Sequence, residues 1–313
     1  MGVEKPLVSI IIPVFNGRDY LAQAIESALA QSWPNTEILV INDGSTDNTE
    51  EIALSYNGKV RYFKKHNGGQ STALNLGIAQ MKGRYFSWLS HDDLYLPEKI
   101  EKQMTLALQH PGAVIYSDWM SINAAGEEVS RTRIYNTDPE RFRFNLMTEN
   151  RFHGCAMLVP RELFTRCGSF KTDIPLTSDV ELWFRLADTA PFIHLPEILV
   201  KGRTHAQQVS VKRYRAHQQE SDRFYAECFR TFSNEDLLNA AESKHLLHTL
   251  QHLGRSFASR EYWQAATAVN QRIQKDKGKL PAMFERAVCG FHYQKKKLKN
   301  RVKYGLLKGR SKK

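Results

Sequence analysis

The sequence predicts an α/β fold: an open, mostly parallel sheet with helices on both faces, followed by a C-terminal helical extension. Three observations carry this expectation. Val8 to Val14 and Glu37 to Asn42 are nearly continuous apolar, β-branched runs, the pattern of strands covered on both faces. Between them Leu21, Ala24, Ile25, Ala28 and Leu29 recur at helical spacing within Asp19 to Gln31. Strand and helix patterns then keep alternating to about residue 120.

Taken in order, Val8 to Val14 is the first strand, Asp19 to Gln31 the first helix and Glu37 to Asn42 the second strand. Ser45-Thr46-Asp47 supplies capping groups, and Glu50 and Glu51 suit the first turn of a helix reaching about Tyr56. Val60 to Phe63 reads as a third strand, Ser71 to Met81 as a helix and Tyr85 to Leu89 as a fourth strand. Pro97 fits the first turn of a helix ending near His110, and Val114 to Ser117 is a fifth strand. Beyond residue 120 the pattern loosens: Arg151 to Pro160 reads as a strand and Asp179 to Ala187 as a short helix. Arg215 to His252 and Glu261 to Ile273 read as helical.

The chain of 313 residues is 42% hydrophobic, enough to bury a sizeable core. Leu7 to Phe15 is too short to span a bilayer, and Met1-Gly2-Val3-Glu4 carries neither region of a signal peptide. Pro6 stands where a myristoylation motif has Ser or Thr, so the expected location is cytoplasmic. Cys155, Cys167, Cys228 and Cys289 form no CxxC pair and read as reduced, packing thiols. The net charge is +11, and ten Lys or Arg fall between Phe291 and Lys313, so the rest carries about +1. The basicity belongs to the tail and says nothing about catalytic chemistry.

In an open parallel sheet, ligands bind beyond the carboxyl ends of the strands. Three polar clusters fall there: Pro13-Val14-Phe15-Asn16, Asp43-Gly44-Ser45 and Ser90-His91-Asp92-Asp93. Asp92 and Asp93 form a ready oxygen site for Mg²⁺ or Mn²⁺, and read equally as a solvated acidic turn. Asp43 can accept from a base or ribose, or close an Asx-turn. Gly68-Gly69 before a helix lets backbone N–H groups approach an anion, or is simply a turn. Asp179 heads a short helix, as general base or as N-cap. His205 is a candidate metal ligand or a structural histidine. His245, His248 and His252 read as a helix face.

This set resembles the family 2 glycosyltransferases, inverting enzymes with a GT-A fold, here of the bacterial cell-surface polysaccharide type. The matching residues are Val8-Ser9-Ile10-Ile11-Ile12-Pro13-Val14-Phe15-Asn16 and Glu37-Ile38-Leu39-Val40-Ile41-Asn42-Asp43-Gly44-Ser45-Thr46-Asp47. Asn67-Gly68-Gly69-Gln70-Ser71, Asn75-Leu76-Gly77 and Asp92-Asp93 follow in the same order. The resemblance spans about residues 7 to 210. It implies a GT-A domain over 1–212, divided into a nucleotide-sugar half (1–120) and an acceptor and base half (121–212). A helical extension (213–290) and a basic tail (291–313) follow.

By that resemblance Pro13, Val14, Phe15, Asn16 and Asp43 line the nucleotide pocket, and Gly69, Gln70, Asn75 and Asp92 add donor contacts. Asp93 holds the metal, Mn²⁺ or Mg²⁺, with His205 as a further contact. Asp179 matches the catalytic base. His153 and Gly154, with Trp183, border the acceptor site, although Trp183 also reads as core. The family commonly has an acidic residue where Ser178 stands, and often Arg at Leu74, which leaves Arg84 as the expected diphosphate contact.

The expected activity is transfer from a nucleotide diphosphate sugar, UDP-sugar by default, to a hydroxyl of a glycan or lipid-linked glycan. The tail from Lys295 mixes basic residues with Leu298, Val302, Tyr304, Leu306 and Leu307, and reads as a segment on an anionic membrane surface or as a solvated tail. Competing readings are a binding module of the same fold without activity, an oxidoreductase and a nucleic-acid binder. The second lacks GxGxxG after the first strand, and the third leaves the strand-end clusters unexplained. No nucleic-acid partner is expected.

Overall fold

The structure, a computed structural model, describes residues 5–135, 138–149 and 151–277. Cys289, the end of the expected helical extension and the basic tail lie outside the described residues. The elements of the first half are β1 (Val8–Val14), α1 (Leu21–Leu29), β2 (Thr36–Asn42), α2 (Thr49–Ser55), β3 (Arg61–Lys64), α3 (Gln70–Gln80), β4 (Tyr85–Trp88), β5 (Leu94–Tyr95) and α4 (Lys99–Gln109). There follow β6 (Val114–Ile122), β7 (Glu128–Thr132), α5 (Phe142–Thr148), β8 (Met157–Pro160), α6 (Glu162–Cys167), α7 (Ser178–Leu186) and β9 (Phe192–Arg203). The described chain ends with α8 (Val209–Lys212), α9 (Tyr214–Thr231), α10 (Asn234–Ala240), α11 (Leu246–Ser259) and α12 (Trp263–Lys277).

The strands order as β3-β2-β1-β4-β8-β6-β9-β5, with β7 on β6. β3, β2, β1 and β4 are parallel, so Lys64, Asn42, Val14 and Trp88 end on one edge. All seven residues of β1 are buried, which requires cover on both faces. On one face α3 comes close enough that a Cβ at Gly77 would sit 2.4 Å from Ile11 Cγ2, so only glycine fits there. The second half of the sheet is mixed: β8 runs antiparallel to β4 and β6, whereas β9 is parallel to β6.

Three differences from the sequence expectation have local causes. The segment from Arg151 is a strand only over Met157–Pro160, because Gly154–Ala156 makes a 3₁₀ turn that packs on Trp88. The strand β9 was not expected. Its register skips between Leu195 and Ile198, which leaves Pro196 and Glu197 outside the ladder. Proline has no N–H for a ladder and is accommodated at such a bulge. The run 215–252 is three helices rather than one. Ser233 and Asp236 form a capping box that starts α10, and Glu242 takes φ 48° after it.

Two compact units divide the chain: Met1–Leu146 with Asn150–Arg213, and Met147–Glu149 with the chain from Tyr214 on. In the second, Asp222 accepts from the N–H groups of Gln264 and Ala265, both at 3.0 Å, and so caps α12. Tyr225, Phe257 and Tyr262 form its aromatic core. Among the described residues no helix is long and apolar enough to cross a membrane.

Candidate active site

The loops after β1 and β2 are laced together. Asn16 takes φ 51°, the left-handed region that Asn tolerates, and its N–H donates to Ser45 Oγ at 2.9 Å. Asn16 Oδ1 accepts from Thr46 N–H at 2.8 Å, and Gly17 N–H donates to Thr49 Oγ1 at 2.8 Å. This geometry leaves Phe15 exposed while Pro13 and Val14 are buried.

Asp43 is buried and turns away from solvent. It accepts from Gly68 N–H at 3.0 Å and Gly69 N–H at 2.8 Å, and Lys65 Nζ completes its shell. Lys65 also donates to Thr72 Oγ1 at 2.8 Å, which fixes the start of α3. The N–H of Gly69 is therefore spent on Asp43, while Gln70 stands exposed at the first position of α3.

At the end of β4 both aspartates are buried. Asp92 Oδ2 meets His205 Nε2 at 3.0 Å and accepts from Gln208 Nε2 at 3.1 Å. Burial raises the Asp92 carboxyl, but His91, Gln208 and His205 outweigh it and hold the group below its ordinary value. Asp93 Oδ1 accepts from Arg203 N–H at 2.8 Å, whereas among the described residues Oδ2 meets only Cys155 Sγ at 3.3 Å and His153 Nε2 at 3.7 Å. Burial, reinforced by the charge of Asp92, pushes the Asp93 carboxyl up to about 8. The ligand atoms of Asp93, His153 and Cys155 all lie within 4.8 Å of one another.

His153 joins this cluster to the candidate base. Burial holds its imidazole down at about 4, against the charges of Asp92 and Asp179, so it is neutral at pH 7. Asp179 sits half-buried in the first turn of α7. The preceding Ser178 bonds Ser71 of α3 at 2.8 Å and thereby ties the two helix starts together.

A comparison with known proteins decides the family. The family model described as glycosyl transferase family 2 matches residues 9–169, just over half of the chain. The chain belongs to glycosyltransferase family 2. An uncharacterized glycosyltransferase of Rickettsia felis is 42% identical over 257 residues, covering 80% of this chain and 42% of the relative. The chain spans about two fifths of the length of this relative and of the similar glycosyltransferases of Rickettsia bellii and Rickettsia conorii. Residues 1–349 of S. aureus TarS, in complex with UDP-GlcNAc, share the fold at TM-score 0.61 and 18% identity, over 87% of this chain and 76% of that one. The mannosyltransferase PcManGT of Pyrobaculum calidifontis, in complex with GDP-Man and Mn²⁺, does so at TM-score 0.58 and 18% identity, over 91% and 80%. Both likenesses support the GT-A-type architecture.

Within this family 2 domain not every expected residue reaches the strand-end site. Arg84 precedes β4, and its N–H donates to Leu7 O at 2.8 Å. It therefore lies at the amino edge of the parallel strands, about 13 Å of strand away from the aspartates. Asn75 bonds both backbone groups of Phe170, at 2.8 and 2.9 Å, which anchors that loop on α3. Trp183 is 1% exposed and packs edge-on against Phe170, so it belongs to the core and offers no face to a sugar. Gly154 backs onto Trp88, where a Cβ would come within 2.3 Å of the ring.

Other functional residues escaped the sequence reading. Arg203 ends β9 and is 3% exposed. Its Nε donates to Asp92 O at 2.8 Å, Nη2 to Gln23 Oε1 at 2.9 Å and Nη1 to Ala124 O at 3.0 Å. Its guanidinium also lies 4.5 Å over the Tyr20 ring. Cys155, read as a packing thiol, faces Asp93, and the His153-Gly154-Cys155 spacing was the available signal. Gln208 and Lys65 follow and precede identified motifs, but nothing in their spacing marks them.

Proposed function

We propose that this domain transfers a glycosyl group from a nucleoside diphosphate sugar to an acceptor hydroxyl, with inversion at the anomeric carbon. The donor is a UDP-hexose or UDP-N-acetylhexosamine, and the acceptor belongs to cell-surface or lipid-linked glycan synthesis. The observation that carries the reading is Asp93, a buried carboxyl whose Oδ2, among the described residues, pairs with no Lys or Arg and meets only the neutral imidazole of His153 at 3.7 Å and the Cys155 thiol. Such a group is costly unless a charge compensates it. The residues therefore fit a divalent ion, Mn²⁺ or Mg²⁺, held by Asp93, with Asp92 and His205 beside it. A bound ion supplies positive charge against that developing on the leaving diphosphate. The donor complexes of TarS and PcManGT, the latter with Mn²⁺, support both inferences.

The chain's own groups do the rest. Exposed Phe15 offers its ring to the nucleotide base, while Asp43 and its three donors keep the neighbouring loop rigid. Asp179 takes the proton of the acceptor hydroxyl as its oxygen attacks the anomeric carbon, and the bond to the diphosphate breaks on the opposite face. His153 stays neutral between Asp93 and Asp179, so it can hydrogen-bond without competing for the ion's charge. The work takes place at the cytoplasmic face of a membrane, with residues 291–313 on anionic lipid. Co-sedimentation with anionic vesicles, lost on deleting that segment, is the expected result.

The decisive experiment is a thermal-shift panel of UDP- and GDP-sugars with and without Mn²⁺, since a ligand bound to the native state raises the melting temperature. At least one sugar nucleotide should stabilise the protein only when Mn²⁺ is present, and NMR of the product should show an inverted linkage. If no sugar nucleotide binds in a metal-dependent way, the transferase reading is lost.

A further inference from the structure

The hairpin of β6 and β7 runs on into Arg133-Ile134-Tyr135, and this stretch lines a groove of about 340 Å³. Its walls are Arg131, Thr132, Arg133, Tyr135 and Arg151. Extended backbone sends alternate residues to opposite sides. Accordingly Arg131, Arg133 and Tyr135 are exposed on one side, while Ile134 is buried on the other.

Both walls are fixed from beneath. Ile134 N–H donates to Oδ1 of buried Asp118 at 3.0 Å, and Asp118 in turn meets His194 Nε2 at 2.8 Å. Trp119 Nε1 donates to Arg151 O at 2.9 Å, and the Trp119 ring lies 4.8 Å from that of His153. The groove thus begins one contact away from the Asp93 cluster, on the side of the chain that carries His153.

Three arginines line the groove, and Glu128 pairs with Arg131 at 2.7 and 3.1 Å. Guanidinium groups match carboxylate and phosphate oxygens with two parallel hydrogen bonds. Tyr135, 61% exposed, adds an aromatic face beside them.

We propose that this groove binds the acidic groups of an anionic glycan acceptor, carboxylate or phosphate, and so orients the strand toward Asp179; the proposal rests on the transferase reading above. Glu128 occupies Arg131 until an oxyanion of the acceptor displaces it.

The test is calorimetry of the full chain, with UDP and Mn²⁺ present, against three probes. They are a tetrasaccharide alternating uronic acid and N-acetylhexosamine, its carboxyl-reduced neutral counterpart, and a glycerol phosphate oligomer of similar length. At least one acidic probe should bind roughly tenfold more tightly than the neutral one, the scale of a few hydrogen bonds to charged groups. That preference should shrink as salt is raised. Preference for the uronate alone assigns the groove to carboxylates, and preference for the glycerol phosphate alone assigns it to phosphates. Arg133→Glu, at an exposed position, should abolish the preference without changing binding of UDP-GlcNAc with Mn²⁺. Glu128→Gln should strengthen it. Equal binding of acidic and neutral probes, or a preference that survives Arg133→Glu, overturns the proposal, as does binding of anionic phospholipid vesicles but of neither acidic oligomer. Loss of metal-dependent donor binding in the unaltered protein overturns the transferase reading instead, so the two failures are distinguishable.

Discussion

Two parallel strands of one sheet, β2 and β4, each deliver a buried aspartate to the same edge, and the surroundings of the two could hardly differ more. Asp43, after β2, is saturated by the chain itself: two backbone N–H groups and the Lys65 ammonium. Asp93, after β4, has one backbone N–H, a thiol and an imidazole at 3.7 Å. The first arrangement is complete without a ligand and stiffens the loop before α3. The second is left short of positive charge. A buried carboxylate that the fold satisfies is scaffolding, whereas one that it leaves short is a place for something else to bind.

This contrast fixes the sign of each expected result. The largest effect belongs to Asp179, the proposed base, whose charge reaches His153 beside Asp93. Asp179→Asn should lower turnover by about 10²–10⁴, with donor affinity and melting temperature unchanged. Kinetics and calorimetry together check it, and near-normal turnover removes Asp179 from the role of base. On the saturated side, Asp43→Ala takes the acceptor from two N–H groups and the ion pair from Lys65, which keeps Thr72 and His66 as acceptors. Denaturant unfolding should therefore show a loss of about 1–3 kcal/mol.

Asp93→Asn should do the reverse. It removes a carboxyl that burial keeps protonated in the folded protein but that ionises in the unfolded chain, so near neutral pH the metal-free protein should gain on the order of 1 kcal/mol or more, while the Mn²⁺-dependent part of donor binding disappears. A destabilised metal-free variant would mean that Asp93 is scaffolding like Asp43.

A third buried charge sharpens the comparison further. Lys99 is fully buried, donates to Ser87 Oγ at 2.5 Å and Met157 O at 3.3 Å and lies 4.1 Å from the Tyr95 ring centroid, with no carboxylate among its hydrogen-bond partners in the described residues. Burial holds its ammonium down at about 7. The folded protein thus releases this proton before the unfolded chain does. Stability should rise as pH climbs from about 7 toward 10, by no more than about 1.4 kcal/mol per pH unit. Lys99→Met should flatten that slope, as melting temperatures across the range will reveal.

The first half of the fold was legible because its periodicities are local. The β1 run and the helical spacing of Leu21 to Leu29 each report burial along one element, and parallel pairing follows from their alternation. β9 was hidden because Pro196 and Glu197 interrupt it, and only the parallel partner β6 reveals that the chain resumes its ladder at Ile198. The site divided in the same way. Asp43, Asp92, Asp93 and Asp179 could be named from strand ends and a helix start. Arg203 could not, since it sits 110 residues from Asp93 and reaches it only through the pairing of β6 with β9 and of β5 with β9. Arg84 failed for the complementary reason: closeness in sequence to β4 says nothing about which end of the strand a side chain occupies.

By itself the sequence determined which segments bury an apolar face and which carboxylates end the strands, because both depend on residues within one turn or one strand. Only the tertiary structure decided which of those carboxylates the chain neutralises and which it leaves short of charge. That outcome depends on donors such as Lys65, Arg203, His205 and Gln208, which arrive from distant elements, and a buried charge is settled by everything that surrounds it in three dimensions.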